Sequence, residues 1–161
     1  MDTWLEFLGY YISEGSCDKR SVEIAQSRLK HPQKFQKIEQ CLQRLGFSYG
    51  LHEQESHCGL RINSVQLSRY LKQFGISHQK FIPTEFKNLS KRQLRILFDA
   101  MLLGDGTIDK YFGNRSYWTN SKRLAEDVQE IMWKLGIVTR LRQKKLDPRS
   151  PYPMYEVRER L

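Results

Sequence analysis

Two nine-residue segments of the 161-residue chain end alike, on one acid and one glycine: Phe7-Leu8-Gly9-Tyr10-Tyr11-Ile12-Ser13-Glu14-Gly15 and Phe98-Asp99-Ala100-Met101-Leu102-Leu103-Gly104-Asp105-Gly106. Gly9 and Ser13 stand four apart, as do Ala100 and Gly104. On a helix each pair makes a smooth stripe along one face. Two such stripes let helices pack backbone to backbone, and closure brings Glu14 and Asp105 together at the C-terminal ends. Like charges at that range, beside the negative ends of two helix dipoles, are unfavourable unless a cation sits between them. Carboxylate oxygens suit Mg2+ or another hard divalent cation. Either motif alone is explained as an ordinary helix end capped by Gly15 or Gly106; the two together are not.

The elements that would position these acids repeat. The motif glycines are 91 residues apart, and a second landmark, Leu-Gly at the end of an amphipathic helix, recurs at Gly46 and Gly136, 90 apart. The first of these helices begins near Pro32 and has Phe35, Ile38, Leu42 and Leu45 on its apolar face. The second is capped by Asn120 or Ser121 and carries Leu124, Val128, Ile131, Met132 and Leu135. Between them lie strand signals. Cys58, Leu60 and Ile62 alternate with His57, Arg61 and Asn63; Phe47, Tyr49 and Leu51 are expected inward, and His52 and Gln54 outward. Arg140, Arg142 and Lys144 share one strand face, and Arg158 and Arg160 another. Ser21 to Ser27 and Tyr111 to Asn120 also read as extended. A helix from about Ser64, stopped at Gly75, closes the first half. At the repeat offset of 90, the counterpart of its Phe74 end would fall at 164, beyond Leu161. The expectation is an α+β chain of two helix, two strands, helix, two strands, helix halves, 1–87 and 88–161, the second lacking its final helix.

Composition points to a polyanionic partner. Lys and Arg number 27 against 18 Asp and Glu, a net charge of +9, and the stretch from Ile137 onward is locally basic. Cys17, Cys41 and Cys58 are odd in number and scattered, which argues against a disulfide framework and for a reducing compartment. His52, His57 and Cys58 lack Cys-x-x-Cys or helical His spacing and read as ordinary surface or core residues, not zinc ligands. Neither a membrane-span run nor a signal-peptide pattern is visible, so an intracellular location, in cytoplasm, nucleoid or organelle matrix, is expected.

The paired motifs, the element order and the basic strands resemble the LAGLIDADG homing endonucleases, particularly the double-motif kind found in inteins. Lys80-Phe81-Ile82-Pro83 is similar to the Lys-x-Ile-Pro element that intein endonucleases carry before their second motif. The resemblance implies one endonuclease domain over residues 1–161. It would be a pseudo-twofold monomer with antiparallel saddle-like sheets around a central pair of motif helices. It further implies double-stranded DNA as partner and Mg2+ held by Glu14 and Asp105, with Lys80 near the scissile phosphate and cuts across the minor groove. Glu14 stands where the consensus has Asp, one methylene longer, and Asp99 where it has a small apolar residue, read as a solvent-side change. A second lysine equivalent to Lys80 would follow the missing helix. The chain starts without a nucleophilic Cys or Ser and does not end in His-Asn, so no self-splicing is expected.

Sequence readout would come from strands laid in the major groove, where Arg and Lys suit guanine, and Asn and Gln suit adenine. The candidates are Gln54, Arg61, Asn63, Arg140, Arg142, Lys144 and Arg158, with Lys19, Arg20, Asn114 and Arg115 at hairpin tips; many such contacts position without specifying. Two other functions fit a basic chain of this fold: a DNA-binding regulator that has lost cleavage, and a maturase that binds intron RNA. Retention of an acid in both motifs speaks against the first.

Overall fold

A computed structural model describes residues 1–55 and 57–160. The elements run α1 (Asp2–Glu14), β1 (Gly15–Cys17), β2 (Ser21–Ala25), α2 (Pro32–Arg44), β3 (Gly50–Gln54), β4 (His57–Asn63) and α3 (Val65–Leu71). They continue with α4 (Thr84–Lys87), α5 (Lys91–Asp105), β5 (Gly106–Ile108), β6 (Arg115–Thr119), α6 (Lys122–Lys134), β7 (Thr139–Gln143) and β8 (Tyr155–Glu159). The strands form two four-stranded antiparallel sheets of identical plan, β1-β2-β4-β3 and β5-β6-β8-β7. The duplication read from the two Leu-Gly landmarks is therefore a duplication of structure. Among the described residues no helix is long and apolar enough to cross a membrane.

Local chemistry accounts for the helix boundaries. Pro32 opens α2, Ser64 caps α3 by accepting the Leu67 amide, and Ser121 does the same for α6 with Leu124. Ser90 and Gln93 form a reciprocal capping box at the start of α5. The chain after α3 tightens into a 3-10 turn and stops at Gly75, whose φ of +74° favours glycine.

One continuous core joins the halves. Phe7, Leu8, Tyr11 and Ile12 of α1 and Leu97, Phe98 and Met101 of α5 are buried with residues of both sheets and of α2 and α6. The α1–α5 pair makes the most extensive contact between elements. The stripes meet as their spacing requires. A Cβ on Gly9 would stand 2.5 Å from Ala100 Cβ and 2.7 Å from the Leu97 carbonyl, and one on Gly104 would stand 2.6 Å from Ser13 Cβ. Nothing larger than hydrogen fits at either glycine without moving a backbone.

Three local expectations need correction. The strand expected from Phe47 begins at Gly50, and Leu51, on the core side opposite Leu60, is 46% exposed because the edge strand overhangs the core. Tyr111 to Gly113 form the turn before β6 rather than strand. Gly15 and Gly106 do follow the helices but are extended (φ −91° and −103°), not left-handed. They are glycine because a Cβ would press on the Tyr11 and Leu102 carbonyls, at 2.5 and 2.4 Å.

Candidate functional site

The closed helix pair leaves Glu14 and Asp105 side by side at one end. Glu14 Cγ lies 3.0 Å from where a Gly104 Cβ would be. Both side chains are half-buried. Burial, and after it the charge of Glu14, pushes the Asp105 carboxyl up to about 7. Burial also raises Glu14, against the pull of Lys34, Lys80 and His31. Burial and nearby charge, not hydrogen bonds, set both groups. Beneath them Ser13 Oγ donates to the Met101 carbonyl at 2.8 Å and meets the buried Tyr117 hydroxyl at 2.9 Å, tying α1 to α5 and to β6.

Lys80 completes the cluster from the connector between the halves. Its Nζ donates to the carbonyls of Tyr11, Ile12 and Gly15, at 3.1, 3.0 and 2.6 Å, placing a positive charge at the negative C-terminal end of α1. Burial brings its ammonium down to about 8, while Asp105 and Glu14 pull it back up. The connector is held by the second half: Ser121 Oγ donates to the Lys80 carbonyl at 2.6 Å, and Asp127 accepts from the Ile82 amide at 2.8 Å and from Lys87 at 2.7 Å. The Lys-Phe-Ile-Pro segment is thus fixed at both ends of its reach.

Grooves open on either side of the carboxylates. One, of about 550 Å³, runs from Glu14 past Arg28 and Lys30 to Glu53 and His57; the other, of about 310 Å³, is lined by Ser13, Lys80, Asp105 and Asn120. Lys34, in the first turn of α2, acts on both acids and carried no signal in the sequence, because only the tertiary placement of α2 brings it there.

The strand candidates divide. Gln54, Arg61 and Asn63 lie on the outward face of the first sheet and Arg140, Arg142 and Arg158 on that of the second, and all six are exposed. The second face is hollowed into a groove of about 350 Å³ lined by Arg140, Arg142, Arg158 and Arg160. Arg61 is engaged by Asp18 at 3.1 Å and Ser21 at 3.1 Å. Lys144 pairs with Glu156 at 2.9 Å and lies over the Trp118 ring. Lys19 and Arg20 occupy the β1–β2 turn, exposed. Asn114 and Arg115 do not form a hairpin tip: Arg115 starts β6 and pairs with Glu159 at 3.1 Å, and Asn114 Oδ1 is buried with no hydrogen-bond partner among the described residues. The tip belongs to Tyr111 and Phe112, 91% and 73% exposed, which sequence reading passed over. Asp99 is exposed, as its motif position suggested.

Comparison with known proteins places this arrangement. Among solved structures, the homing endonuclease I-DmoI in complex with DNA and Ca superposes with a TM-score of 0.72 at 18% identity, over 99% of this chain and 83% of that one. The N-terminal LAGLIDADG domain of DUF199/WhiA gives 0.63 at 8% identity, over 96% and 74%. These likenesses are of fold. In sequence, the chain is 28% identical over 149 residues to the ATP-dependent Clp protease proteolytic subunit of Chlamydomonas moewusii, a match covering 84% of this chain but only 14% of that protein. A family model described as LAGLIDADG-like domain matches twice, over residues 5–75 and 88–160, one copy for each sheet and its motif helix. Two copies of one model on two copies of one structural plan leave a single conclusion: the chain belongs to the LAGLIDADG-like domain family.

Proposed function

We propose that this chain is a site-specific endonuclease that hydrolyses both strands of duplex DNA with Mg2+ or another divalent cation. The observation that carries the reading is the juxtaposition of Glu14 and Asp105, drawn from separate helices and held partly dry with raised carboxyls, between two outward strand faces rich in arginine and amides. The all-oxygen donor pair fits a hard cation, and Glu14 and Asp105 would hold it. When bound, such a cation supplies an activated water and charge neutralisation at the phosphoryl oxygens.

The protein groups do the rest by position. Lys80 has three N–H donors and all three are taken by carbonyls, so it contributes a fixed positive charge near the developing oxyanion rather than a proton. Ser13 and the buried Tyr117 hydroxyl lock the helix ends so that the acids keep their separation. Arg140, Arg142, Arg158, Gln54 and Asn63 would read base edges, while Arg61, Lys144, Lys19, Arg20 and Arg115 contribute charge towards phosphates. The halves, 1–87 and 88–161, act as one pseudo-symmetric monomer, and their unlike faces suit an asymmetric target. A match spanning a small part of a much longer relative supports an endonuclease region carried inside a host protein.

The test is cleavage of the host gene from which the insertion has been removed, with Mg2+, alongside Glu14→Gln and Asp105→Asn. Site-specific double-strand breaks, reduced by at least about 100-fold in each variant, are expected. Tight binding that is indifferent to Mg2+ and leaves the duplex whole would instead mark a regulator, and preference for the intron transcript a maturase.

A further inference from the structure

The outward face of the first sheet carries a cluster that DNA cleavage does not use. Glu23 on β2, His52 on β3 and His57 on β4 each offer a ligand atom, all within 4.8 Å of one another. The ladder shows how they converge. Glu23 pairs with Arg61, while Gly59, the next outward position on β4, pairs with both Ala25 and His52. A Cβ on Gly59 would stand 2.9 Å from Glu23 Oε1 and 3.1 Å from its Cγ. The bare glycine therefore lets the glutamate lie across the strand between two imidazoles. His52 Nδ1 is 3.4 Å from Oε1, His57 Nε2 abuts the same oxygen, and the rings meet edge to face at 5.4 Å. Oε1 is shut off from solvent and, among the described residues, faces these two imidazole nitrogens. A buried carboxylate oxygen between two imidazoles is compensated either by a proton on one ring or by a cation that the three groups share.

The second sheet supplies an internal comparison. By ladder register, the positions of Glu23, Gly59 and His52 are taken there by Ser116, Glu156 and Arg142. Its central carboxylate, Glu156, is neutralised by Lys144 at 2.9 Å. Among the described residues no lysine pairs with Glu23; two imidazole nitrogens face it instead. Two imidazoles and one carboxylate suit a borderline-soft ion of the Zn2+ type, and a hard ion such as Mg2+ poorly. We propose that Glu23, His52 and His57 form a Zn2+ site on the outward face of the first sheet, separate from the carboxylate pair of the motif helices. Bound there, the ion ties the edge strand β3 to β2 and β4, and turns a locally negative spot positive on a face otherwise set with Arg61, Gln54 and Asn63.

The test uses the whole chain stripped of metal with EDTA and titrated with Zn2+ alone. One ion is expected to bind at this cluster, beside any held by Glu14 and Asp105, with a rise in Tm of several degrees, and Co2+ in its place to give the intense visible bands of a site with few ligands. Both signals should persist in the Glu14→Gln/Asp105→Asn double variant and vanish in His52→Gln and in His57→Gln. Histidine side-chain NMR of the unsubstituted protein asks the same question without a variant: Zn2+ should move the ring nitrogens of His52 and His57 and leave those of His31 and His78. Absence of binding, signals that survive loss of either histidine, signals that disappear with the motif acids, or unmoved His52 and His57 rings would each overturn the site.

Discussion

Asp105 sits in an environment chosen against its own charge. Its carboxyl titrates at about 7 in the folded chain against an ordinary 3.8, so between those values the folded protein holds a proton that the unfolded chain has released. Without divalent ions, stability therefore falls as pH rises from about 4 to about 7, and the raised Glu14 carboxyl adds to the same trend. Lys80, depressed to about 8 from 10.5, works in a later window and in the opposite sense. Between those values the folded chain has released a proton that the unfolded chain keeps, so this group makes stability rise with pH there. Asp105→Asn should accordingly stabilise the metal-free protein at pH 8, by about 1–2 kcal/mol in urea unfolding, a reversal of what most substitutions in a half-buried site do. Mg2+ should raise the Tm of the unsubstituted chain more at pH 8 than at pH 5, since at the lower pH a proton occupies the ligand. Glu14 and Asp105 were legible because their signal is local, an acid at the end of a small-residue stripe, given twice. Lys34, and the meeting of Glu23 with His52 and His57, were not: the first depends on where α2 docks, the second on strand register, and neither is written in any short window.

Among elements, the α1–α5 pair carries the strictest requirement. Gly9→Ala places a methyl 2.5 Å from Ala100 Cβ and 2.7 Å from the Leu97 carbonyl, so the helices must part even though alanine is the better helix former. Overpacking of this kind costs about 1–3 kcal/mol, measurable as a lowered urea midpoint, and should slow cleavage further than stability alone explains because the acids separate. The long amphipathic helices announced themselves through their 3.6-residue periodicity and their caps. The three-residue strands β1 and β5 are too short to show any period. Strand β3 misled in a different way: its alternation is real, but the core ends beneath it, so Leu51 has nothing to pack on. The connector was recognisable only as a motif; its clamp on α6 through Asp127 depends on a residue 45 positions away from Ile82.

On the scale of the whole molecule, a chain of net charge +9 presents two outward sheet faces that differ in kind. The second presents Arg140, Arg142 and Arg158 with no ion pair among the described residues, whereas Arg61 on the first is tethered to Asp18. Truncating an untethered arginine should weaken duplex binding and reduce the slope of log affinity against log salt by about 1 for each phosphate no longer touched. Arg142→Ala, followed by fluorescence anisotropy at several salt concentrations, is expected to weaken binding more than Arg61→Ala. The connector has a consequence of its own. It is moored to α6 by Ser121 and Asp127, but its lysine serves the tip of α1. Chimeras that graft this chain's opening portion onto a foreign closing portion would inherit the lysine without its moorings, so recombining chains of this family at the midpoint succeeds only if those two residues travel with it.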